Sequence, residues 1–207
     1  MPDFTFEQKF NKPGLSVGLD EAGRGPWCGP VVAACVGWQD LKCPAELASM
    51  LDDSKKLSPQ KRELLFDKTM VATPIWGIGQ ASAKEIDEIN ILQASFLAMR
   101  RALEEVIRKG FDPATALIDG NRLPDWEMEK YAIIGGDGKS LSIAAASILA
   151  KVTRDRIMVE LAQKYPHYGW EKNAGYGTKV HQEGLLKYGI TPEHRQSYAP
   201  IKKLLKR

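Results

Sequence analysis

The sequence predicts an α/β fold: a mixed five-stranded sheet flanked by helices and followed by a helical C-terminal extension. Three observations carry that prediction. Five short apolar runs are bounded by glycine, proline or polar clusters, as strands are. Two long stretches have helical signatures, one through the spacing of its apolar residues and one through small residues on successive turns. The order is three strands, a helix, a strand, a short connection, a strand and a second long helix, which makes the sheet mixed and its first part antiparallel.

Residues 15–21 read as the first strand, and "VVAACVGW" after the turn-rich "AGRGPWCGP" as a second, joined hairpin-fashion. Ser58 and Pro59 supply an N-cap and a first-turn proline for a helix through "QKRELLFDKTM". "PIWGIGQAS" is the third strand. Ile89, Leu92, Phe96, Met99, Leu103, Val106 and Ile107 then predict a helix over 89–109 that stops at Gly110. "TALIDG" and "YAIIGG" are short apolar runs ending in glycine, which suits buried strands. From Ser142 a helix runs through "IAAASILAKVTRDRIMVELAQKY" to Pro166, with Lys151 and Arg154 expected at its exposed ends.

At 207 residues, 43% hydrophobic and 27% charged, the composition is that of an ordinary globular protein. No apolar run approaches the roughly 20 residues of a membrane span, and no basic-then-apolar leader is present, so no membrane contact is expected. Cys28, Cys35 and Cys43 form no C-x-x-C pair, which argues against a disulfide framework or structural zinc and fits a reducing cytoplasm. The net charge of +3 is unevenly spread: residues 151–207 hold 12 Lys and Arg against 5 Asp and Glu. An acidic body with a basic C-terminal quarter suits a metal-dependent site beside a phosphate-binding surface.

The chemistry concentrates at strand ends. Asp20 and Glu21, Asp119 and Asp137 all fall at or just past such ends, where open α/β sheets gather ligands. Clustered acids repel unless cations hold them, and hard oxygen donors suit Mg²⁺ or Mn²⁺. Two such ions, roughly 3.5–4 Å apart, serve phosphodiester hydrolysis. Gly23 and Gly25 frame Arg24, whose side chain suits a phosphate or hydroxyl. Lys55 and Lys56 in "DDSKKLS" precede a helix N-terminus and read as a phosphate anchor or a solvated turn. "NAGYGTKVH" holds Tyr176 between glycines, either as a plug under a turn or as a stacking partner for a sugar or base. "GGDGKS" fails the P-loop spacing because the required first glycine is Ile133, and His167, His181 and His194 form no H-E-x-x-H.

Together "GLDEAGRGPWCGPVVAACV", "DDSKKLS", "LIDGN", "GGDGKSLSIAAASILAKVTRDRIM" and "GYGT" closely resemble the bacterial type 2 ribonuclease H family, ribonuclease HII. The resemblance spans roughly residues 17 to 181. It implies a ribonuclease H-like catalytic domain over 1–160 with a basic helical extension, 161–207, packed on it. It also implies Mg²⁺- or Mn²⁺-dependent cutting of RNA in RNA/DNA hybrids and 5′ of ribonucleotides embedded in duplex DNA. The family's metal ligands fall on Asp20, Glu21, Asp119 and Asp137. Its ribose-reading motif falls on Gly23, Arg24 and Gly25, and its junction-sensing tyrosine on Tyr176. The lysine often found before the last aspartate is Gly136 here, with Lys139 as a substitute. A monomer is expected, and "IKKLLKR" is the expected seat of any replication-clamp contact. Two other readings compete: a junction-resolvase type nuclease of the same fold, and a non-enzymatic nucleic-acid-binding module.

Overall fold

A computed structural model describes residues 1–10, 14–51 and 57–206. Lys55 and Lys56 lie outside the described residues. In chain order the elements are α1 (Thr5–Lys9), β1 (Leu15–Ala22), β2 (Val31–Gly37), α2 (Ala45–Met50), α3 (Pro59–Ala72), β3 (Trp76–Ala81), α4 (Ala83–Arg108), β4 (Pro113–Asp119), β5 (Glu129–Ile133), α5 (Leu141–Lys164), α6 (Trp170–Asn173), α7 (Lys179–Tyr188) and α8 (Ala199–Leu205).

The strands form one five-stranded sheet in the order β3-β2-β1-β4-β5. β1 pairs antiparallel with β2, and β2 with β3. β1 runs parallel to β4, and β4 to β5. The C-terminal ends of β1, β4 and β5 therefore share one edge of the sheet, and the acids at those ends share it too.

Two helices sandwich the sheet. α4 buries Ala94, Ala98, Met99 and Ala102 against Val17, Leu19, Val31 and Cys35 on one face. α5 buries an almost continuous run, Leu141 to Ala150, against the other face and against α2 and α3. Close approach is written into glycines. A Cβ on Gly79 would sit 2.2 Å from the Ala98 carbonyl oxygen, and one on Gly18 would sit 2.3 Å from the Ile143 nitrogen. Each glycine lets a helix backbone rest on its strand.

Local chemistry sets the boundaries. Ser58 caps α3 by accepting the Lys61 N–H, as its sequence predicts. α4 starts earlier than the apolar spacing suggests, because Ser82 and Glu85 form a capping box. Asn90 then breaks the helix with φ 67°, and its side chain accepts the N–H groups of Leu92 and Gln93. The periodic signal beginning at Ile89 is thus the second segment of a kinked helix. α1 was not expected from sequence. Its buried Glu7 accepts from the Ser140 hydroxyl and the Ser142 N–H, capping α5 from far along the chain.

The C-terminal helices close over the far half of α5. Met158 and Ala162 join Cys28, Tyr168, Trp170, Leu185 and Ile201 in one cluster, with Trp27 against it. Position 160 lies inside α5, so this cluster straddles the expected boundary. Among the described residues no helix is long and apolar enough to cross a membrane.

Gly79→Ala tests the α4–β3 contact. The added methyl has no room against the Ala98 carbonyl, and a loss of about 1–3 kcal/mol is expected in urea denaturation.

Candidate active site

The carboxylates of β1 and β4 meet in a cavity of about 600 Å³ lined by Asp20, Glu21, Gly23, Arg24, Gly25, Arg62, Asp119, Ser147, Lys151, Arg154 and Tyr176. Adjacent strand residues point to opposite faces. Asp20 accordingly turns toward α5, where it is hydrogen-bonded to Ser147. Glu21 turns toward α4, where a smaller cleft places it beside Leu92, Ser95, Phe96 and Met99. Asp119 lines both spaces, so it sits between the two neighbours on β1. The strand end solves the opposite-face problem: both acids reach the rim of the sheet.

The electrostatics fit anions held together by the fold. Burial, followed by the charges of Glu21 and Asp119, holds the Asp20 carboxyl well above the ordinary carboxylate range. Burial also raises Glu21, Arg24 works against that rise, and Asp119 adds to it. The Glu21 carboxylate accepts from Arg24 at 3.1 Å, and half of the arginine side chain remains exposed to the cavity. Asp119 accepts the Gly136 N–H at 2.7 Å. A side chain at 136 would press on Ile143 at 2.6 Å, so glycine is what lets this backbone amide reach the aspartate.

Asp137 follows immediately, buried in the tight turn before α5, but it is not among the residues lining the cavity. Lys139 also stands apart from the cavity, with its ammonium donating to the Ile134 carbonyl at 2.6 Å. Among the described residues no group of three or more acidic, histidine or cysteine side chains is placed to hold a metal ion as it stands. The donors that do line the cavity, Asp20, Glu21 and Asp119, are hard carboxylate oxygens in an open arrangement. That arrangement fits Mg²⁺ or Mn²⁺, since such ions bind through one or two carboxylates while keeping water and substrate phosphates in their shells.

The loop between β1 and β2 is fixed from beneath by two buried arginines. Arg195, fully buried, donates to the carbonyls of Gly23, Arg24, Pro26, Gly29 and Pro30 and to the Tyr198 hydroxyl. Arg154 donates to the carbonyls of Cys28, Pro30 and Ala174. Its place corrects the sequence expectation. Arg154 is 1% exposed rather than a solvated helix end, because the loop and the C-terminal helices cover the far half of α5. Gly23 is required twice over: its φ is 100°, and a Cβ there would lie 2.0 Å from the Arg154 Nε. Lys151 is partly exposed at the cavity wall, paired with Asp155 at 2.6 Å.

Tyr176 also lines the cavity, 53% exposed rather than plugged beneath its turn. A Cβ on Gly25 would touch its ring edge at 3.4 Å, so the two loops lie side by side at the cavity. Sequence reading missed Ser147, Arg62 and Arg195. A serine inside an alanine-rich helix and a lone arginine near the C-terminus carry no local pattern that would single them out.

Known proteins resemble this chain in sequence and fold. A family model described as ribonuclease HII matches residues 17–201. The chain is 52% identical over 201 residues to the ribonuclease HII of Paramagnetospirillum magneticum, with 97% of each chain covered. It is similar to the solved ribonuclease H2 of Pyrococcus horikoshii, with a TM-score of 0.74, 29% identity, and coverage of 93% of this chain and 98% of that one. It is also similar to the RNase HII of Archaeoglobus fulgidus, solved in complex with PCNA, with a TM-score of 0.69, 26% identity, and coverage of 89% and 95%.

Two outcomes are expected. A carboxylate whose folded pKa is raised contributes most stability below its ordinary value of 3.8 and loses it as pH rises through the interval above. Asp20→Asn should therefore melt higher than wild type at neutral pH in EDTA, by about 2–4 °C for each kcal/mol relieved, while cutting is lost. Arg195→Lys leaves a three-donor ammonium among the loop carbonyls that the guanidinium serves. A loss of about 2–3 kcal/mol is expected, read by thermal melting.

Proposed function

The chain belongs to the ribonuclease HII family, metal-dependent endoribonucleases that cut RNA in RNA/DNA hybrids, and from that premise we propose that it also nicks duplex DNA on the 5′ side of a lone embedded ribonucleotide. The products are a 5′-phosphate on the ribonucleotide and a 3′-hydroxyl upstream. One observation carries the reading: the carboxylate cavity is lined by the Gly23–Arg24–Gly25 loop and by the exposed Tyr176 ring, which lie side by side. A hydrolytic centre flanked by a backbone-rich polar loop and a flat aromatic has the parts needed to test one sugar and stack on the next.

Asp20, Glu21 and Asp119, with Asp137 beside them in the chain fold, would hold the divalent cations. Bound there, a pair of such ions supplies water activation and charge stabilisation at the leaving oxygen. The chain's own groups do the selecting. The main chain around Gly23 and Gly25 approaches the substrate closely, and Arg24 offers a guanidinium to the ribose hydroxyl and the adjoining phosphate, the 2′-hydroxyl being what separates RNA from DNA. Tyr176 presents a ring face to the neighbouring deoxyribose. Lys151 and the basic C-terminal region draw the duplex backbone to the cavity by charge. The PCNA complex of the Archaeoglobus relative supports a clamp contact here through α8, where Leu205 stands half exposed after Lys202 and Lys203.

A labelled DNA duplex with one ribonucleotide tests the proposal. Cutting 5′ of the ribonucleotide is expected with Mg²⁺ or Mn²⁺ and none with EDTA, and an all-DNA four-way junction should stay intact. Cleavage only within runs of several ribonucleotides would defeat the lone-nucleotide reading. Arg24→Ala should lower the preference for ribose over deoxyribose by about tenfold to a hundredfold, as loss of a charged hydrogen bond does, with Mn²⁺ affinity nearly unchanged.

A further inference from the structure

The histidines form no metal motif, yet two of them meet in the protein interior. His181 on α7 and His194, in the turn before α8, are 0% and 1% exposed. Their Nε2 atoms lie 3.0 Å apart. Two such nitrogens can bond only if one carries hydrogen and the other does not.

The neighbours decide which. The Thr191 N–H donates to His194 Nδ1 at 2.9 Å, so that nitrogen is bare and the neutral ring carries its hydrogen on Nε2. The Trp170 indole N–H donates to His181 Nε2 at 3.3 Å, and an indole nitrogen never accepts. His181 Nε2 is therefore bare as well, and its hydrogen sits on Nδ1. That Nδ1 faces the Tyr176 carbonyl at 3.0 Å. Hydrogen bonds then run one way, from Thr191 through His194 and His181 to the main chain of Tyr176.

We propose that His181 and His194 are positioning residues for the reaction, a neutral pair of opposite tautomers that holds the main chain of Tyr176 in place beside Gly25. A proton added to His181 would face the Trp170 N–H or the other ring, and one added to His194 Nδ1 would face the Thr191 N–H, with the Thr191 hydroxyl 3.0 Å away as an acceptor. Around these groups Tyr168, Trp170 and Trp27 pack their rings on the pair. Burial accordingly lowers His181 and takes His194 down to about 4. Arg154 and Trp27 hold the left-handed Ala174 and Gly175 by their carbonyls, and His181 holds the next one, the Tyr176 carbonyl, which also accepts the short-range Thr178 N–H.

This inference rests on Tyr176 touching substrate, so the test separates the two. Long-range ¹H–¹⁵N spectra of histidine-labelled protein at neutral pH should show one ring protonated at Nδ1 and one at Nε2. Matching tautomers, or an imidazolium signal from the pair, would overturn the proposal. On the single-ribonucleotide duplex, His181→Ala should lower kcat/KM about tenfold. His181→Asn, whose amide N–H lies where Nδ1–H was, should recover most of it. In a Tyr176→Ala background His181→Ala should add no further loss. Losses that multiply, or an Asn variant as poor as Ala, would reduce the pair to a structural filler and overturn its positioning role. If Tyr176→Ala alone cuts like wild type, the use of the pair in the reaction falls with the Tyr176 contact. Opposite tautomers in the same preparation would then place the error in the tyrosine reading.

Discussion

The loop beside the carboxylate cavity depends on one buried guanidinium. The loop between β1 and β2 has no regular structure, and its carbonyls point into the protein, where each would be an unsatisfied acceptor. Arg195 meets five of them and Arg154 one more, that of Cys28, with Pro30 shared between the two arginines. Arginine alone among side chains has enough donors in a fixed plane for that task. Its cost is a desolvated charge: burial lowers the pKa of both groups, with Arg154 brought to about 10. Carbonyl dipoles and the Tyr198 hydroxyl offset that cost. With the loop's underside fixed, Arg24 is free to face the cavity.

The acidic side of the site follows a different logic. Parallel pairing of β1 with β4 brings Asp119 beside Asp20 and Glu21 through the hydrogen-bond ladder, not through any attraction between them. Their mutual repulsion is imposed by a sheet clamped between two long helices. The glycines that let α4 and α5 lie on the strands therefore contribute indirectly to catalysis, because a looser sandwich would let the carboxylates spread. Stability and chemistry oppose each other at these residues and are reconciled by packing elsewhere.

Much of this was legible in the sequence because its signals are local. Alternating and continuous apolar runs gave the five strands, Ser58 gave a cap, and three of the four acids at strand ends, Asp20, Glu21 and Asp119, meet in one cavity. The kink at Asn90 was hidden because its signal is one side chain bonding to the next turn, which leaves the apolar period intact. Arg195, His181 and His194 were opaque for a deeper reason. Their partners are main-chain atoms or rings distant in sequence, and a carbonyl has no letter of its own. The burial of Arg154 was misread because the charge of a helical residue says nothing about what later folds over it. Lys139 shows the converse: a basic residue beside the acids in sequence, its ammonium folded back on its own turn.

The place of Arg195 in the chain has a consequence for how the protein comes into being. The loop it completes begins at Gly23, while its anchor comes 172 positions later in the chain. A growing chain can pair its strands and gather its acids before position 195 exists, but until then most of the loop carbonyls lack their partner and the loop has no fixed shape. A fragment cut short by proteolysis or stalled translation would carry the carboxylates without the means to aim them, which is a safe order of assembly for an enzyme that breaks nucleic acid.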